Sequence, residues 1–296
     1  MSMSRWRTCA RWPTCAAGLR RGLSSAPARC MAYFHGPGGS TSGCRRRCAV
    51  ADHRRGGWRR CHARRGLPRR GALRQGAGMD AHRRGLYAIV SPPRLAGEEA
   101  AFLRRVDAIV RGGAVRLQMR IKDDRDDRDR LQWIDAVLRR CREAGVPLIV
   151  NDRADLAFAA GADGVHVGDR DLPPPFARRI LGSQALVGTS THSLSQLVEA
   201  DRGGGACHLA LGPIWASPTK RGHADVTGVD VLRAACAATT LPVVAIGGIT
   251  TEERAREAVQ AGAAFVAVVS ALQGDDPDVV FAATERFARA SLPSTT

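Results

Sequence analysis

From Leu86 onward the chain alternates between short apolar runs and longer stretches whose apolar residues recur at helical spacing. The runs fall at 86–90, 114–118, 146–151, 164–167, 185–190, 208–212, 242–248 and 264–270. They are apolar throughout rather than at alternate positions, the mark of strands in a parallel sheet covered by helices. Between them the spacing predicts helices at 98–111, 131–144, 154–160, 174–181, 194–201, 229–239, 252–261 and 277–290. In the first helix Ala101, Phe102, Arg105, Val106, Ile109 and Val110 keep a period near 3.6, and Gly112-Gly113 follows its end. Eight strands alternating with eight helices between residues 85 and 292 predict an α/β chain of the (β/α)8 TIM-barrel type, near the lower size limit of that fold. A doubly wound open sheet is the alternative.

Each apolar run stops abruptly at polar residues, and in such sheets ligands bind just beyond the C-terminal ends of the strands. Gln118, Arg120 and Lys122 follow the second run, Asn151 and Asp152 the third, Asp169 and Asp171 the fourth. Ser190 and His192 follow the fifth, Thr219 and Lys220 lie in the long loop after the sixth, Gly247-Gly248 end the seventh, and Val269-Ser270 end the eighth. In a barrel all of these converge on one face. Gly-Gly at strand seven with Val-Ser at strand eight is the phosphate-cradle position of many barrels, where backbone N–H groups meet an anion, and it is read so here over the alternative of a tight turn alone. Two carboxylates on neighbouring strand ends suit Mg²⁺, which is held by one or two carboxylates plus substrate phosphates. Arg120, Lys122 and Lys220 add cations fit for a diphosphate. The charge run 123–130 reads as a solvated face. His166, inside a strand, reads as a hydrogen-bonded structural histidine rather than a metal ligand, and His192 as either a helix-entry residue or a proton carrier.

Charge changes the picture of the N-terminus only. The chain has 45 Lys and Arg against 28 Asp and Glu, a formal +17, which by itself suggests a nucleic-acid partner. Residues 1–85 hold 20 of those Arg with only Asp52 and Asp80, leaving 25 basic against 26 acidic residues downstream. Six of the nine cysteines lie in the same segment, and Cys141, Cys207 and Cys236 are scattered through the rest. That distribution argues against a disulfide framework and for a reducing, cytoplasmic setting. Residues 1–84 show no helical or strand period and few aliphatic residues, so a disordered basic extension is expected, with translation starting at Met79. A transit peptide, a nucleic-acid-binding arm and a metal knuckle of Cys44, Cys48, Cys61 and His62 are weighed against it and set aside. No apolar run is long enough to span a membrane.

In order and spacing, Gln118-x-Arg-x-Lys122, Ile149-Val-Asn-Asp152, Gly164-Val-His-Val-Gly-x-x-Asp-Leu172, Gly188-x-Ser-x-His192, Gly212-Pro-Ile214 with Thr219-Lys220, and Ala245-Ile-Gly-Gly-Ile249 resemble thiamine phosphate synthase. The resemblance covers about residues 86–290. It implies a TIM-barrel transferase that condenses 4-amino-5-hydroxymethyl-2-methylpyrimidine diphosphate with a thiazole phosphate and releases pyrophosphate through a dissociative, carbocation route. It also implies Mg²⁺ on Asp152 and Asp171, and a diphosphate grip of Arg120, Lys122, Asn151 and Lys220. Gln118 and Ser190 would contact the pyrimidine or the leaving group, and Thr219, Gly248, Val269 and Ser270 would hold the thiazole phosphate. Arg120, Ser190 and Lys220 form the expected catalytic set. The chain departs from the family pattern at Asp169, at Ala216-Ser217 and at Ser91-Pro-Pro93. The sister thiazole tautomerases share the fold but lack the Asn-Asp and distal Asp, and a non-catalytic phosphate-binding barrel is the third reading. The expected partners are small molecules, with monomer and homo-oligomer both open.

Overall fold

The computed structural model describes residues 49–51, 58–60, 83–216 and 225–293, and the chain divides into two units, Met1–Gly66 and Leu67–Thr296. In the first unit Ala49–Ala51 pairs antiparallel with Trp58–Arg60. Val50 and Trp58 have high strand propensity, but three residues are too few to show a period. The rest of the expected disordered extension lies outside the described residues.

The second unit is a closed barrel of eight parallel strands, each neighbour in the sheet also the neighbour in sequence. The strands are β1 (Gly85–Val90), β2 (Arg116–Met119), β3 (Leu148–Asn151), β4 (Gly164–Val167), β5 (Leu186–Thr191), β6 (His208–Leu211), β7 (Val243–Ile246) and β8 (Phe265–Val268). The helices are α1 (Glu99–Arg111), α2 (Asp127–Ala144), α3 (Ala154–Ala160), α4 (Pro174–Leu181), α5 (Leu194–Gly203), α6 (Val229–Ala238), α7 (Glu252–Gln260) and α8 (Pro277–Ala290). The barrel closes where β8 pairs with β1, Val266 opposite Leu86.

Boundaries shift where caps or backbone geometry overrule apolar pattern. Helix α2 begins four residues earlier than the pattern predicts, because Asp126 caps it by accepting from the N–H of Asp129 at 2.9 Å. The eighth strand ends at Val268, and Ser270–Leu272 turns into a 3₁₀ helix instead of continuing it.

Strand residues sort into two cores by the period-two rule. Leu86, Leu117, Leu148, Val165, Val187, Leu209, Ala245 and Val266 face outward and are buried under the helices. Tyr87, Ile149, Leu186, Ala210, Val244 and Phe265 face inward and fill the barrel. The inward set is unusually polar: Arg116, Gln118, His166 and His208 are all buried among the strands. Arg116 has no carboxylate partner among the described residues; its guanidinium lies 3.9 Å from the centre of the Phe265 ring, a contact that offsets part of the cost of burying the charge.

Candidate active site

The C-terminal mouth of the barrel gathers Gln118, Arg120, Lys122, Asn151, Asp152, Asp171 and Ser190 on one side and Gly248, Val269 and Ser270 on the other, as the strand ends dictate. Thr219 and Lys220 lie outside the described residues.

Asp152 is the centre of the first side. Its φ of +65° is the sole positive value among the described non-glycine residues, a conformation costing of order 1 kcal/mol or more that persists where surroundings over-determine it. Here its N–H is fixed on the carbonyl of His166 at 2.7 Å, and Lys122 Nζ forms a short ion pair with its carboxylate. Asp171 neighbours the same carboxyl and is itself held by the N–H of Gly168 at 2.7 Å. Burial foremost, and the neighbouring Asp171, push the Asp152 carboxyl above its ordinary pKa, while Lys122 opposes the shift. Next to it, Asn151 Nδ2 is buried with no acceptor. Two neighbouring carboxylates, an orphaned amide donor and the exposed Lys122 make an arrangement that a hard divalent cation with a phosphate ligand would complete. Among the described residues no three metal-binding side chains cluster, so the protein offers two carboxylates rather than a full cage. Asp169, the extra carboxylate of the sequence, is exposed.

Below the mouth, Gln118 Nε2 donates to Tyr87 Oη at 2.9 Å, which fixes the amide from beneath. Burial raises the Tyr87 phenol well beyond its usual range, so it stays neutral. His166 Nε2 is 3.0 Å from Ser190 Oγ, in line with the hydrogen-bonded histidine expected from its place in a strand. His192 bonds the carbonyl of Gly212 through Nδ1 at 2.6 Å, and its N–H donates to Gln196 at 2.7 Å, which is the geometry of a helix-entry residue.

The loop carrying Arg120 and Lys122 corrects one expectation. The run 123–130 is not a uniformly solvated face. Side chains of Asp123, Arg125 and Arg130 are only 11%, 12% and 16% exposed. Arg125 pairs bidentately with Asp123 at 2.7 and 2.5 Å and reaches the carbonyl of Pro93 at 2.9 Å. Arg125 holds the Asp123 carboxyl below the usual carboxylate range. The pattern looked solvated because charged residues outnumber apolar ones; folded, they satisfy one another and the loop's carbonyls.

At the opposite side, Gly247 and Gly248 have φ of +97° and +70°. A side chain at Gly248 would lie 2.6 Å from the Trp215 Cβ and the Ala216 carbonyl, so only glycine lets this backbone turn so close. Arg254 Nη1 donates to the carbonyl of Gly248 at 2.6 Å and its guanidinium lies 5.6 Å from the Trp215 ring. Val269 leads into the 3₁₀ turn at Ser270, whose first N–H groups have no acceptor within the turn. Tyr87, Arg130 and Arg254 were missed by the sequence reading. Arg254 carried a signal, a cation in the first turn of the helix expected at 252–261, against the macrodipole; Arg130 falls just before the helix expected at 131–144 and carried none.

The family model described as thiamine monophosphate synthase matches residues 86–272. A thiamine-phosphate synthase of Roseiflexus castenholzii is 41% identical over 196 residues, 66% of this chain and 84% of the relative. One from Acidothermus cellulolyticus is 40% identical over 205 residues, 69% of this chain and 93% of the relative. Among solved structures, the thiamine phosphate pyrophosphorylase from Pyrococcus furiosus superposes with a TM-score of 0.61 at 32% identity, covering 71% of this chain and 96% of that one. Tryptophan synthase from M. tuberculosis, at 15% identity and a TM-score of 0.54, shares the fold alone. By this match and these identities, the chain belongs to the thiamine monophosphate synthase family.

Proposed function

We propose that the barrel at residues 85–292 condenses the pyrimidine diphosphate with a thiazole phosphate to give thiamine phosphate and pyrophosphate. The observation that carries this reading is the pairing of the neighbouring Asp152 and Asp171 carboxylates and the Arg120–Lys122 loop on one side of the mouth with the Gly247–Gly248 turn on the other. In the reaction the C–O bond between the pyrimidine methylene and the diphosphate breaks, and its electron pair leaves with pyrophosphate. The thiazole nitrogen then uses its lone pair to form the C–N bond with the methylene cation.

In this reading Arg120, Lys122, Asn151 and Lys220 bind the diphosphate and stabilise the charge that develops on it as it leaves. Asp152 and Asp171 would hold Mg²⁺, which when bound neutralises phosphate charge. Lys122, paired with Asp152 and about half exposed, is placed to exchange that carboxylate for a phosphate oxygen. Gln118, held by Tyr87, and Ser190, held by His166, present fixed polar groups to the pyrimidine or the leaving group. Thr219, Gly248, Val269 and Ser270 hold the thiazole phosphate. Arg120, Ser190 and Lys220 are the catalytic residues, and no nucleophile–base pair is required. The partners are then two small molecules, in a cytoplasmic setting; among the described residues no helix is long and apolar enough to cross a membrane.

Asp171→Ala tests the assignment. Loss of an electrostatic stabiliser of this kind lowers turnover by about 10²–10³-fold. Turnover equal to the parent protein would remove Asp171 from the site.

A further inference from the structure

The side chains that hold the Arg120–Lys122 loop form a small, largely buried system of their own. Arg130, in the first turn of α2, divides its guanidinium over three carbonyls of that loop. Nε donates to Arg125 at 2.9 Å, Nη1 to Ile121 at 3.4 Å, and Nη2 to Asp123 in a short bond. Arg125 returns from the same loop to grip Asp123 and the Pro93 carbonyl in the loop after the adjacent strand β1. The entry to the loop is pinned by the N–H of Arg120 on the carbonyl of Val90 at 2.8 Å. A cation in the first turn opposes the helix dipole, and within α2 Arg130 has only a loose i,i+3 pairing with Asp127 at 3.7 Å to set against that. The gain lies in the loop, where a planar fork meets carbonyls of residues 121, 123 and 125 at once. Lysine, a point charge on a flexible stem, cannot reproduce that fork.

We propose that Arg130, with the Arg125–Asp123 pair, is the positioning element of the diphosphate site: it sets the backbone course of residues 120–126 and so the place where Arg120 and Lys122 present their charges. None of the three touches substrate in this scheme; they act through the loop. The proposal rests on reading the Arg120–Lys122 side of the mouth as the diphosphate site.

Two variants of the full-length protein test it, Arg130→Lys and Asp123→Asn, the second keeping the fold's charge fork but removing one carboxylate from Arg125. Pyrophosphate binding with Mg²⁺ is measured by titration calorimetry, and KM for each substrate by steady-state assay. Hydrogen bonds from a charged donor are among the stronger ones. Their loss from the loop should weaken pyrophosphate binding and raise KM for the pyrimidine diphosphate by about tenfold. KM for the thiazole phosphate should stay unchanged. Pyrophosphate affinity equal to the parent in both variants, or an equal rise in both KM values with a lower Tm, would overturn the proposal. A parent protein that binds pyrophosphate tightly, loses that binding on Arg130→Lys, and yet forms no thiamine phosphate would overturn the proposed reaction and leave the positioning role standing.

Discussion

Replacing Gly188 by alanine should destabilise the barrel through clashes with two buried histidines, His208 foremost. An added Cβ would lie 2.1 Å from His208 Nε2 and 2.5 Å from His166 Nδ1, where ordinary contacts need about 3.5 Å. His208 must therefore retreat by more than about 1 Å. It has nowhere to go: its ring is fully buried, with Tyr87 at 6.1 Å between centroids, His166 at 5.7 Å and the Cys207 sulfur 3.4 Å from Nδ1. Overpacking of this kind costs about 1–3 kcal/mol. For a domain of this size that is a Tm lower by roughly 2–12 °C. Gly203→Ala, at the end of α5 with nothing within 4 Å, is the control and should leave Tm nearly unchanged. Adding His208→Ala to Gly188→Ala should recover part of the loss, a non-additivity of order 1 kcal/mol in a double-mutant cycle followed by thermal unfolding. Equal Tm for Gly188→Ala and Gly203→Ala, or strict additivity with His208→Ala, would refute the packing argument.

Asp152→Asn keeps a residue tolerant of positive φ and removes only the charge. Because the folded-state pKa of Asp152 is raised, folding loses stability as pH rises from the ordinary aspartate range through the raised value. The variant should therefore have a higher Tm near neutral pH in metal-free buffer, a difference that fades on acidification below about pH 4, with turnover falling about 10²–10³-fold. A lower Tm at neutral pH would contradict the sign. Arg254→Met frees the Gly248 carbonyl and should raise KM for the thiazole phosphate by about tenfold while leaving the pyrimidine diphosphate unaffected, the mirror image of Arg130→Lys. A rise in the pyrimidine diphosphate KM instead would place Arg254 on the wrong side of the mouth.

Much of the barrel was legible because its outward-facing residues are aliphatic on every strand, and helices α4 and α8 begin at prolines that the spacing places correctly. The polar residues at strand ends were legible for the same reason: a barrel sends them all to one mouth. What the pattern hid was the inside of the barrel. Arg116 and His208 sit in short runs dominated by apolar neighbours, and nothing local says that their side chains point inward rather than to a helix. The loop at 120–126 was hidden differently. Its charges read as solvated because ion pairs such as Arg125–Asp123, two residues apart, are set by backbone curvature rather than by any helical or strand period. Asp152 stood out by residue type, but its left-handed backbone could be seen only in the fold.

The proposed reaction joins two substrates at this mouth and expels pyrophosphate. The most direct measurement is product formation by the purified full-length protein with both substrates, each substrate alone, and both after chelation of divalent metal. The expected result is thiamine phosphate and pyrophosphate in equal amounts, formed only when both substrates and Mg²⁺ are present. Isomerisation of the thiazole phosphate with no pyrimidine substrate and no metal, and no pyrophosphate under any condition, would contradict it and assign the barrel to the tautomerase chemistry instead.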